Sequence, residues 1–266
     1  MSSKGTALIT GASTGIGAVY ADRLAKRGYD LILVARSSDK LADVAKQAQS
    51  STRRKAEVLQ ADLSIPADVK RVAERLAADS SITAFVNNAG IASVSKLLES
   101  DPNYLDQIVQ INVTAFTRLA VAAASNFVKR SSGLIINIGS VVGLAPERFN
   151  GVYSGSKAFV QNFSASLKNE LADKGVTVQV VLPGATATPI WEKMGLSLHG
   201  FPPEQVMIAE DMVDASLAGL DHGEFVTIPS LPDAADFESY EEARLALVPN
   251  LSHKHPAPRY AIVSRE

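Results

Sequence analysis

Short apolar runs rich in β-branched residues alternate along this chain with longer stretches of helical periodicity. Most runs are apolar throughout, which is typical of strands buried on both faces of a parallel sheet. The predicted strands cover 6–10, 31–35, 56–60, 84–86, 134–138, 177–182 and 225–228. The predicted helices cover 17–27, 39–49, 67–78, 103–128, 153–173, 210–220 and 236–247. The alternation predicts a doubly wound α/β fold, with a seven-stranded, mostly parallel sheet and helices on both faces.

Composition excludes several classes of function. The chain has 26 Lys and Arg against 28 Asp and Glu, a formal charge of −2, so nothing favours nucleic acid or an anionic membrane as a partner. It has no cysteine, which excludes disulfides, thiolate metal sites and a cysteine nucleophile. The polar N-terminus does not resemble a signal peptide, and no apolar run approaches the roughly 20 residues of a membrane span. We therefore expect a cytoplasmic protein.

The first chemical signal is a glycine-rich turn between the first predicted strand and the first predicted helix. Its residues are Gly11, Ser13, Thr14, Gly15, Ile16 and Gly17. Glycines let backbone amides approach a pyrophosphate, whose negative charge is favoured at a helix N-terminus. The spacing is Gly-x-x-x-Gly-x-Gly rather than Gly-x-Gly-x-x-Gly. A tight turn without a ligand is the alternative, but the strand before it and the amphipathic helix after it favour a dinucleotide site.

The end of the second strand indicates which dinucleotide is bound. An acidic residue about 20 positions beyond the glycines would bind the ribose hydroxyls of NAD, whereas an Arg accommodates the 2′-phosphate of NADP. Arg36 follows the strand, and the hydroxyl of Ser37 or Ser38 could assist it. This pattern predicts NADP(H) in preference to NAD(H). The alternative is a solvated Arg36; Asp39 is interpreted as a cap of the next helix.

Two further strand ends carry polar or small residues where a doubly wound sheet holds its ligand. Asp62 and Leu63 follow the third strand, and Asn88, Ala89 and Gly90 follow the fourth. Ordinary turn chemistry is the alternative for both segments. Together with the glycine turn, they predict one binding crevice at the carboxyl edge of the sheet.

The strongest catalytic candidate is a tyrosine–lysine pair at the start of a helix. Tyr153 and Lys157 lie four positions apart and therefore share a helix face. A neighbouring cation can stabilise a phenolate and lower the pKa of tyrosine from about 10. A second such pair, Tyr240 with Arg244, is assigned to a surface helix. Only Tyr153 follows a strand ending in a polar residue, Ser140, 13 positions earlier.

These motifs, with Asn112 and the Pro183-Gly184 pair, stand in the order and spacing of a known family. The chain resembles the smaller, single-domain short-chain dehydrogenases/reductases over nearly its whole length. The resemblance implies a Rossmann-type fold, a nicotinamide cofactor and reversible hydride transfer between an alcohol and a carbonyl. Thr14 departs from many NADP-preferring relatives, which carry a second basic residue in the glycine turn, so the cofactor preference depends mainly on Arg36.

The resemblance also implies roles for individual residues. Tyr153 would give or take the proton of the substrate oxygen, and Ser140 would hydrogen-bond that oxygen. Lys157 would hold the nicotinamide ribose and lower the pKa of Tyr153, while Asn112 would support a water relay. The implied cofactor contacts are Gly11, Ser13, Thr14, Gly15, Ile16, Gly17, Arg36, Asp62, Leu63, Asn88, Ala89, Gly90, Tyr153, Lys157, Pro183, Gly184, Thr186 and Thr188.

We predict a single domain over 1–266, with a substrate lid at 185–222 and a C-terminal extension at 229–266. The lid region, with Val141, Val142, Pro146, Phe149 and Trp191, is mostly apolar, which favours a neutral carbonyl or alcohol of moderate size. Trp191 either stacks on substrate or packs beneath the lid, and packing is the preferred interpretation. The extension could cover the active site, bridge subunits or pack as a docked tail.

Two predicted helical segments bear on the assembly of the protein. Segments 103–128 and 153–173 correspond to the four-helix interface of the family, which implies a homodimer or homotetramer; packing on the sheet alone is the alternative.

No metal site is predicted, since no cysteine or carboxylate cluster accompanies the four histidines. A non-catalytic NADPH-binding sensor or scaffold is the alternative function, and the intact Ser140, Tyr153 and Lys157 set disfavours it.

Overall fold

The computed structural model describes residues 4–193 and 202–262. The chain divides into two compact units, Met1–Pro229 and Ser230–Glu266, and each is described by itself. The single domain over 1–266 stays a prediction. The part of the predicted lid that falls on 194–201, including His199, lies outside the described residues.

The first unit is built on one parallel sheet. The first six strands are β1 (Thr6–Thr10), β2 (Asp30–Ala35), β3 (Ala56–Gln60), β4 (Ile82–Asn87), β5 (Gly133–Ile138) and β6 (Val176–Val181). Two short strands, β7 (Thr186–Ala187) and β8 (Met207–Ile208), pair separately, and β9 (Val226–Thr227) completes the main sheet. The seven strands stand in the order β3-β2-β1-β4-β5-β6-β9. The predicted sheet is confirmed, and every pair of neighbours in it is parallel.

The helices in chain order are α1 (Gly15–Lys26), α2 (Ser38–Thr52), α3 (Pro66–Ala78), α4 (Pro102–Val109), α5 (Phe116–Lys129), α6 (Gly151–Leu171), α7 (Ile190–Lys193), α8 (Ala209–Asp221) and α9 (Ala234–Ala246). Two apolar cores cover the faces of the sheet. One includes Tyr20 and Leu24 of α1 and Met212 of α8; the other includes Leu76 of α3 and Phe127 of α5. The strand order reverses between β1 and β4, and such a reversal opens a ligand crevice at the carboxyl ends of the strands.

The predicted helix at 103–128 is interrupted by one π-helical segment. Residues Gln110–Ala115 form this segment between α4 and α5. Helical periodicity alone does not reveal it, because apolar residues continue through the region on the same side. Segments of this kind are frequent at functional sites, and here Asn112 is only 2% exposed.

Three short elements, β7, β8 and α7, were not predicted. They have 2, 2 and 4 residues, which is too short to carry a periodic signal.

By length and composition alone, one helical stretch of the described residues, Pro102–Lys129, is apolar enough to cross a membrane. Half of its most apolar window is buried within the protein, as in core helices. Ile108, Leu119 and Phe127 supply fully buried side chains from this stretch.

Candidate active site

The glycine turn brings the backbone of β1 and the start of α1 into close contact. Gly11 and Gly15 have φ angles of +67° and +56°, which side chains disfavour. Gly17 is needed for a different reason: a Cβ there would lie 2.3 Å from the Gly11 carbonyl oxygen. The first turn of α1 can therefore approach the strand end only without a side chain, which leaves its amides free for an anion.

The turn is supported by a polar contact between β1 and the residues after β4. The Thr10 Oγ1 accepts hydrogen bonds from the backbone amides of Asn88 and Ala89, at 3.0 and 3.1 Å. The Asn88 side chain in turn donates to the Thr10 carbonyl at 2.9 Å. The predicted segments at 11–17 and 88–90 are thus held as one unit, and the Asn88 amide supports the turn.

A cavity of about 430 Å³ opens at the carboxyl ends of β1, β2 and β4. Such a volume is typical of a small-molecule site. Twelve of the predicted cofactor residues line it: Gly11, Ser13, Thr14, Gly15, Ile16, Arg36, Asp62, Leu63, Asn88, Ala89, Gly90 and Thr188. Six do not: Gly17, Tyr153, Lys157, Pro183, Gly184 and Thr186. Gly17 acts behind the turn, and the other five belong to α6, to the segment after β6 and to β7.

The cavity also has lining residues that the sequence analysis missed. Lys40 lies in the first turn of α2, four residues after Arg36, and both are exposed cations that line the cavity. Their spacing could have revealed the pair. Tyr104 of α4 also lines the cavity, and its hydroxyl donates to the Ala92 carbonyl at 2.9 Å. Burial raises the pKa of Tyr104, and the positive charge of Arg36 opposes the rise.

The predicted cap at Asp39 is wrong. Ser37 is the N-cap of α2, and its hydroxyl accepts from the Lys40 amide at 3.4 Å, while Asp39 lies inside the first turn. Only Arg36 separates the end of β2 at Ala35 from this cap, so the connection is short and the helix begins at Ser38, earlier than predicted. The negative charge of Asp39 still interacts favourably with the positive N-terminal end of the helix dipole of α2.

Ser140 is positioned by the end of β6 and by a turn against α6. Its hydroxyl donates to the Pro183 carbonyl and accepts from the Val142 amide, both at 3.3 Å. The next turn lies against α6, because a Cβ on Gly143 would be only 2.9 Å from the Ala158 amide nitrogen. This approach places Ser140 beside Tyr153, and the interaction of the two hydroxyls opposes the rise that burial causes in the pKa of Tyr153.

Asn150, which the sequence analysis missed, fixes the start of the helix that carries Tyr153. It is 3% exposed, and its Oδ1 accepts from the amides of Val152 and Tyr153 at 3.0 and 3.4 Å. Its Nδ2 donates to the Ser95 carbonyl and the Ser100 Oγ, both at 3.0 Å. An Asn just before a helix is the sequence signal of an N-cap.

Asn112 lies where the π-helical segment, the residues after β4 and α6 come together. Its side chain accepts from the Ile91 amide at 2.9 Å and donates to the Ile91 carbonyl and to the Ser156 Oγ, at 2.8 and 3.0 Å. A Cβ on Gly90 would lie 3.2 Å from the Asn112 Oδ1 and 3.6 Å from the Lys157 Nζ. Gly90 also lines the cavity, so the cavity adjoins the predicted catalytic residues.

The pKa of Tyr153 differs from the expectation. Burial raises it to about 12, a hydrogen bond with Ser140 opposes the rise, and Lys157 is not a cause of the shift. Burial lowers the pKa of Lys157 to about 8, and its Nζ donates to the Ile138 carbonyl at 3.0 Å. The lowered tyrosine pKa implied by the resemblance is therefore wrong for this structure, because desolvation outweighs any effect of the cation.

Lys157 gives the protein a measurable dependence of stability on pH. Its pKa is 10.5 when unperturbed and about 8 in the fold, so between these values the unfolded chain binds more protons. Stability must then rise with pH across this window. We expect the free energy of unfolding to increase by about 2 kcal/mol between pH 7 and pH 10, relative to Lys157→Met. Urea titrations of both proteins test this, and parallel pH curves would contradict the assignment.

Trp191 packs inside the first unit, as the sequence analysis preferred. It is 8% exposed, and its Nε1 donates to the Thr186 carbonyl at 2.7 Å. The Thr186 hydroxyl is turned back to the Gly184 carbonyl at 3.1 Å. Trp191 thus anchors the segment that follows β6.

No group of three or more His, Asp or Glu side chains suited to a metal ion occurs among residues 4–193 and 202–262. The three histidines in these ranges, His222, His253 and His255, are exposed.

Comparisons with known proteins agree with this geometry. A family model described as short chain dehydrogenase matches residues 5–197. The structure of a short-chain dehydrogenase from Sphingobium yanoikuyae in complex with NADPH is 43% identical, with a TM-score of 0.93, over 96% of this chain and 99% of that chain. A bulky-bulky ketone specific alcohol dehydrogenase from Comamonas testosteroni is 41% identical, with a TM-score of 0.88, over 96% and 98% of the two chains.

A more distant relative is the very-long-chain 3-oxoacyl-CoA reductase-A of Danio rerio. It is 34% identical over 208 residues, which cover 77% of this chain and 65% of that protein. The family model spans well over half of the sequence, and its matched region includes the glycine turn, Ser140, Tyr153 and Lys157. The chain belongs to the short-chain dehydrogenase family.

Proposed function

We propose that this protein is an NADP(H)-dependent oxidoreductase that transfers a hydride between the cofactor and a carbonyl or secondary alcohol. The observation that carries the proposal is the placement of Ser140 beside Tyr153, with Lys157 one helical turn away, next to the cavity of about 430 Å³. The NADPH complex of the Sphingobium yanoikuyae relative supports the choice of cofactor.

The residues of the cavity fit NADP(H). The turn at Gly11 and Gly17 has no room for a Cβ, so its amides can approach a pyrophosphate. Arg36 and Lys40 supply two exposed positive charges that can bind a 2′-phosphate. Asp62 and Leu63 would border the adenine, Lys157 and Asn88 to Gly90 the nicotinamide ribose, and Thr186 with Thr188 the carboxamide.

The bound nicotinamide supplies or accepts the hydride, and the protein manages the proton. Tyr153, with a pKa of about 12, stays protonated at neutral pH and is suited to donate its proton to a carbonyl oxygen that is being reduced. Ser140 holds that oxygen. Lys157, with a pKa of about 8, is mostly protonated at pH 7 and can return a proton to Tyr153. Asn112 holds the backbone at Ile91 and positions α6 beside this path.

The substrate is a neutral ketone or secondary alcohol of moderate size and largely apolar character. The turn after Ser140 carries the apolar residues Val142, which is buried, and Leu144, which is half-buried, and Trp191 packs against the segment after β6. A bulky ketone in the name of the Comamonas testosteroni relative supports this class.

The proposal is tested by following NADPH and NADH oxidation with purified protein over a panel of ketones, diketones, aldehydes and quinones. We expect turnover with NADPH, highest for uncharged ketones that carry two apolar substituents. Tight NADPH binding without turnover of any member would contradict the oxidoreductase assignment and favour the sensor alternative.

Arg36→Ala tests the cofactor preference. Losing a charged partner of the 2′-phosphate should weaken NADPH binding by about 10- to 100-fold, since such bonds contribute about 1.5–3 kcal/mol. NADH binding should change less than about twofold, because NADH lacks this phosphate. Fluorescence titration measures both constants, with Lys46→Ala, an exposed cation of α2 outside the cavity, as the matched control. Equal weakening of both cofactors would refute the assignment.

We also infer a homo-oligomer in the cytoplasm. Val109 of α4 and Val121 of α5 are 44% and 50% exposed, on the helices that form the subunit interface in the family. Two exposed valines on these helices support pairing of this face with a second copy.

A further inference from the structure

The C-terminal arm, defined as residues 230–262, exposes an unusual amount of apolar surface. None of its residues is buried, although it contains the 13-residue helix α9. Half of the 14 large apolar side chains that are exposed in the described chain belong to it. They are Tyr240, Leu245, Leu247, Val248, Leu251, Tyr260 and Ile262.

A segment of this length cannot form a core of its own. Chains below about 40 residues usually need disulfides, a metal or a partner chain to fold. The protein has no cysteine, and no metal-binding cluster occurs in the described ranges. The ordered helix α9 therefore requires a surface that covers its apolar residues.

The exposed area matches what a dimer needs. The seven side chains are 49–72% exposed and together present roughly 800 Å², the area that each partner contributes to a standard protein interface. Isolated surface leucines need no explanation, but a set of this size concentrated in one segment indicates an interaction surface.

The acidic and basic residues of the arm lie in different parts of it, and this distribution favours binding to a second copy of the same segment. The helix and its N-cap carry five acidic residues and one basic residue: Asp233, Asp236, Glu238, Glu241, Glu242 and Arg244. The tail, residues 250–262, carries Lys254 and Arg259, two histidines and no acidic residue. Within the arm's described residues, Arg244 with Glu241 is the only ion pair. Two arms related by a two-fold axis would place each acidic helix on a basic tail, and both contacts would be equivalent.

We propose that the C-terminal arm is an intersubunit arm: residues 230–262 of one copy bind the same residues of a second copy in antiparallel orientation. The apolar side chains form the centre of this contact, and the helix-on-tail charge pairs set its direction. This interface does not depend on the proposed activity.

Charge-swapped full-length chains test the proposal. A tail variant, Lys254→Glu with Arg259→Glu, places acidic tails against acidic helices. A helix variant, Glu238→Lys with Glu241→Lys and Glu242→Lys, changes the net charge of the helix and its N-cap from −4 to +2 and places basic helices against basic tails. Each variant alone should self-associate at least about 10-fold more weakly than the wild type, because several exposed ion pairs become repulsive. A 1:1 mixture should recover the wild-type association, since every helix then meets a tail of opposite charge.

Sedimentation velocity over a range of protein concentrations at low salt measures the association. Lys46→Glu with Lys70→Glu, on exposed positions of α2 and α3, is the control for net charge and should associate like the wild type. Circular dichroism confirms that the variants stay folded. Unchanged association in either variant, or weakening of both without recovery in the mixture, would overturn the proposal.

Discussion

Tyr153→Phe should reduce kcat for ketone reduction by about 1,000-fold, while the dissociation constant of NADPH changes less than about twofold. The substitution removes only the hydroxyl that gives its proton to the substrate oxygen. It leaves the aromatic ring, the Asn150 cap of α6 and the Lys157 contact with the Ile138 carbonyl in place. The lost rate therefore reports the proton transfer and not the loss of a folded site.

The measurement combines steady-state NADPH oxidation with a fluorescence titration of NADPH. Tyr29→Phe is the matched control, since Tyr29 lies at the start of β2, near the amino end of the sheet and away from the cavity. Its turnover should equal that of the wild type. Turnover of Tyr153→Phe at the wild-type rate would refute the role of Tyr153 as proton donor, even if the protein is an NADPH-dependent reductase.

Gly17→Ala should abolish measurable NADPH binding and lower the free energy of unfolding by about 3 kcal/mol. A Cβ at this position would lie 2.3 Å from the Gly11 carbonyl oxygen and 2.7 Å from the Asn88 Nδ2. Both are held in place, because Asn88 is bonded to Thr10 and Gly11 lies in a turn with positive φ. Relief of the clash must therefore move α1 away from β1, and the amides that face the cavity move with it.

Urea unfolding and NADPH titration of the same preparation test this prediction. Gly151→Ala is the control, since a Cβ at Gly151 meets nothing within 4 Å. That variant should bind NADPH normally and should be at least as stable as the wild type, because alanine suits a helix better than glycine. Normal binding by Gly17→Ala would show that the turn is less constrained than its geometry indicates.

The sheet was predictable because each of its strands has a local signal. The continuous apolar runs identify the strands of the main sheet, and the glycine turn after β1 identifies the edge where the cavity opens. The proposed catalytic residues were recognisable from spacing, since Tyr153 and Lys157 share a helix and Ser140 follows a strand. These features depend on residues close together in sequence.

Other features depend on residues that are far apart. Asn150 reaches Ser95 and Ser100, some 50 positions earlier, and no periodicity encodes such a contact. The π-helical segment around Asn112 forms where α4 and α5 meet α6, so its register is set by packing rather than by local propensity. The direction of the Tyr153 pKa shift likewise follows from burial, which a sequence pattern cannot measure.

The double role of Asn150 links two parts of the site mechanically. The oxygen of its amide holds the first amides of α6, the helix that carries Tyr153, and the nitrogen holds the loop at Ser95 and Ser100. If this loop moves away, the Asn150 side chain must lose its hydrogen bonds either to the loop or to the first amides of α6. Loop opening that carries Asn150 along uncaps α6 next to Tyr153. The position of the loop and the geometry of the helix start at Tyr153 are therefore coupled through this one side chain.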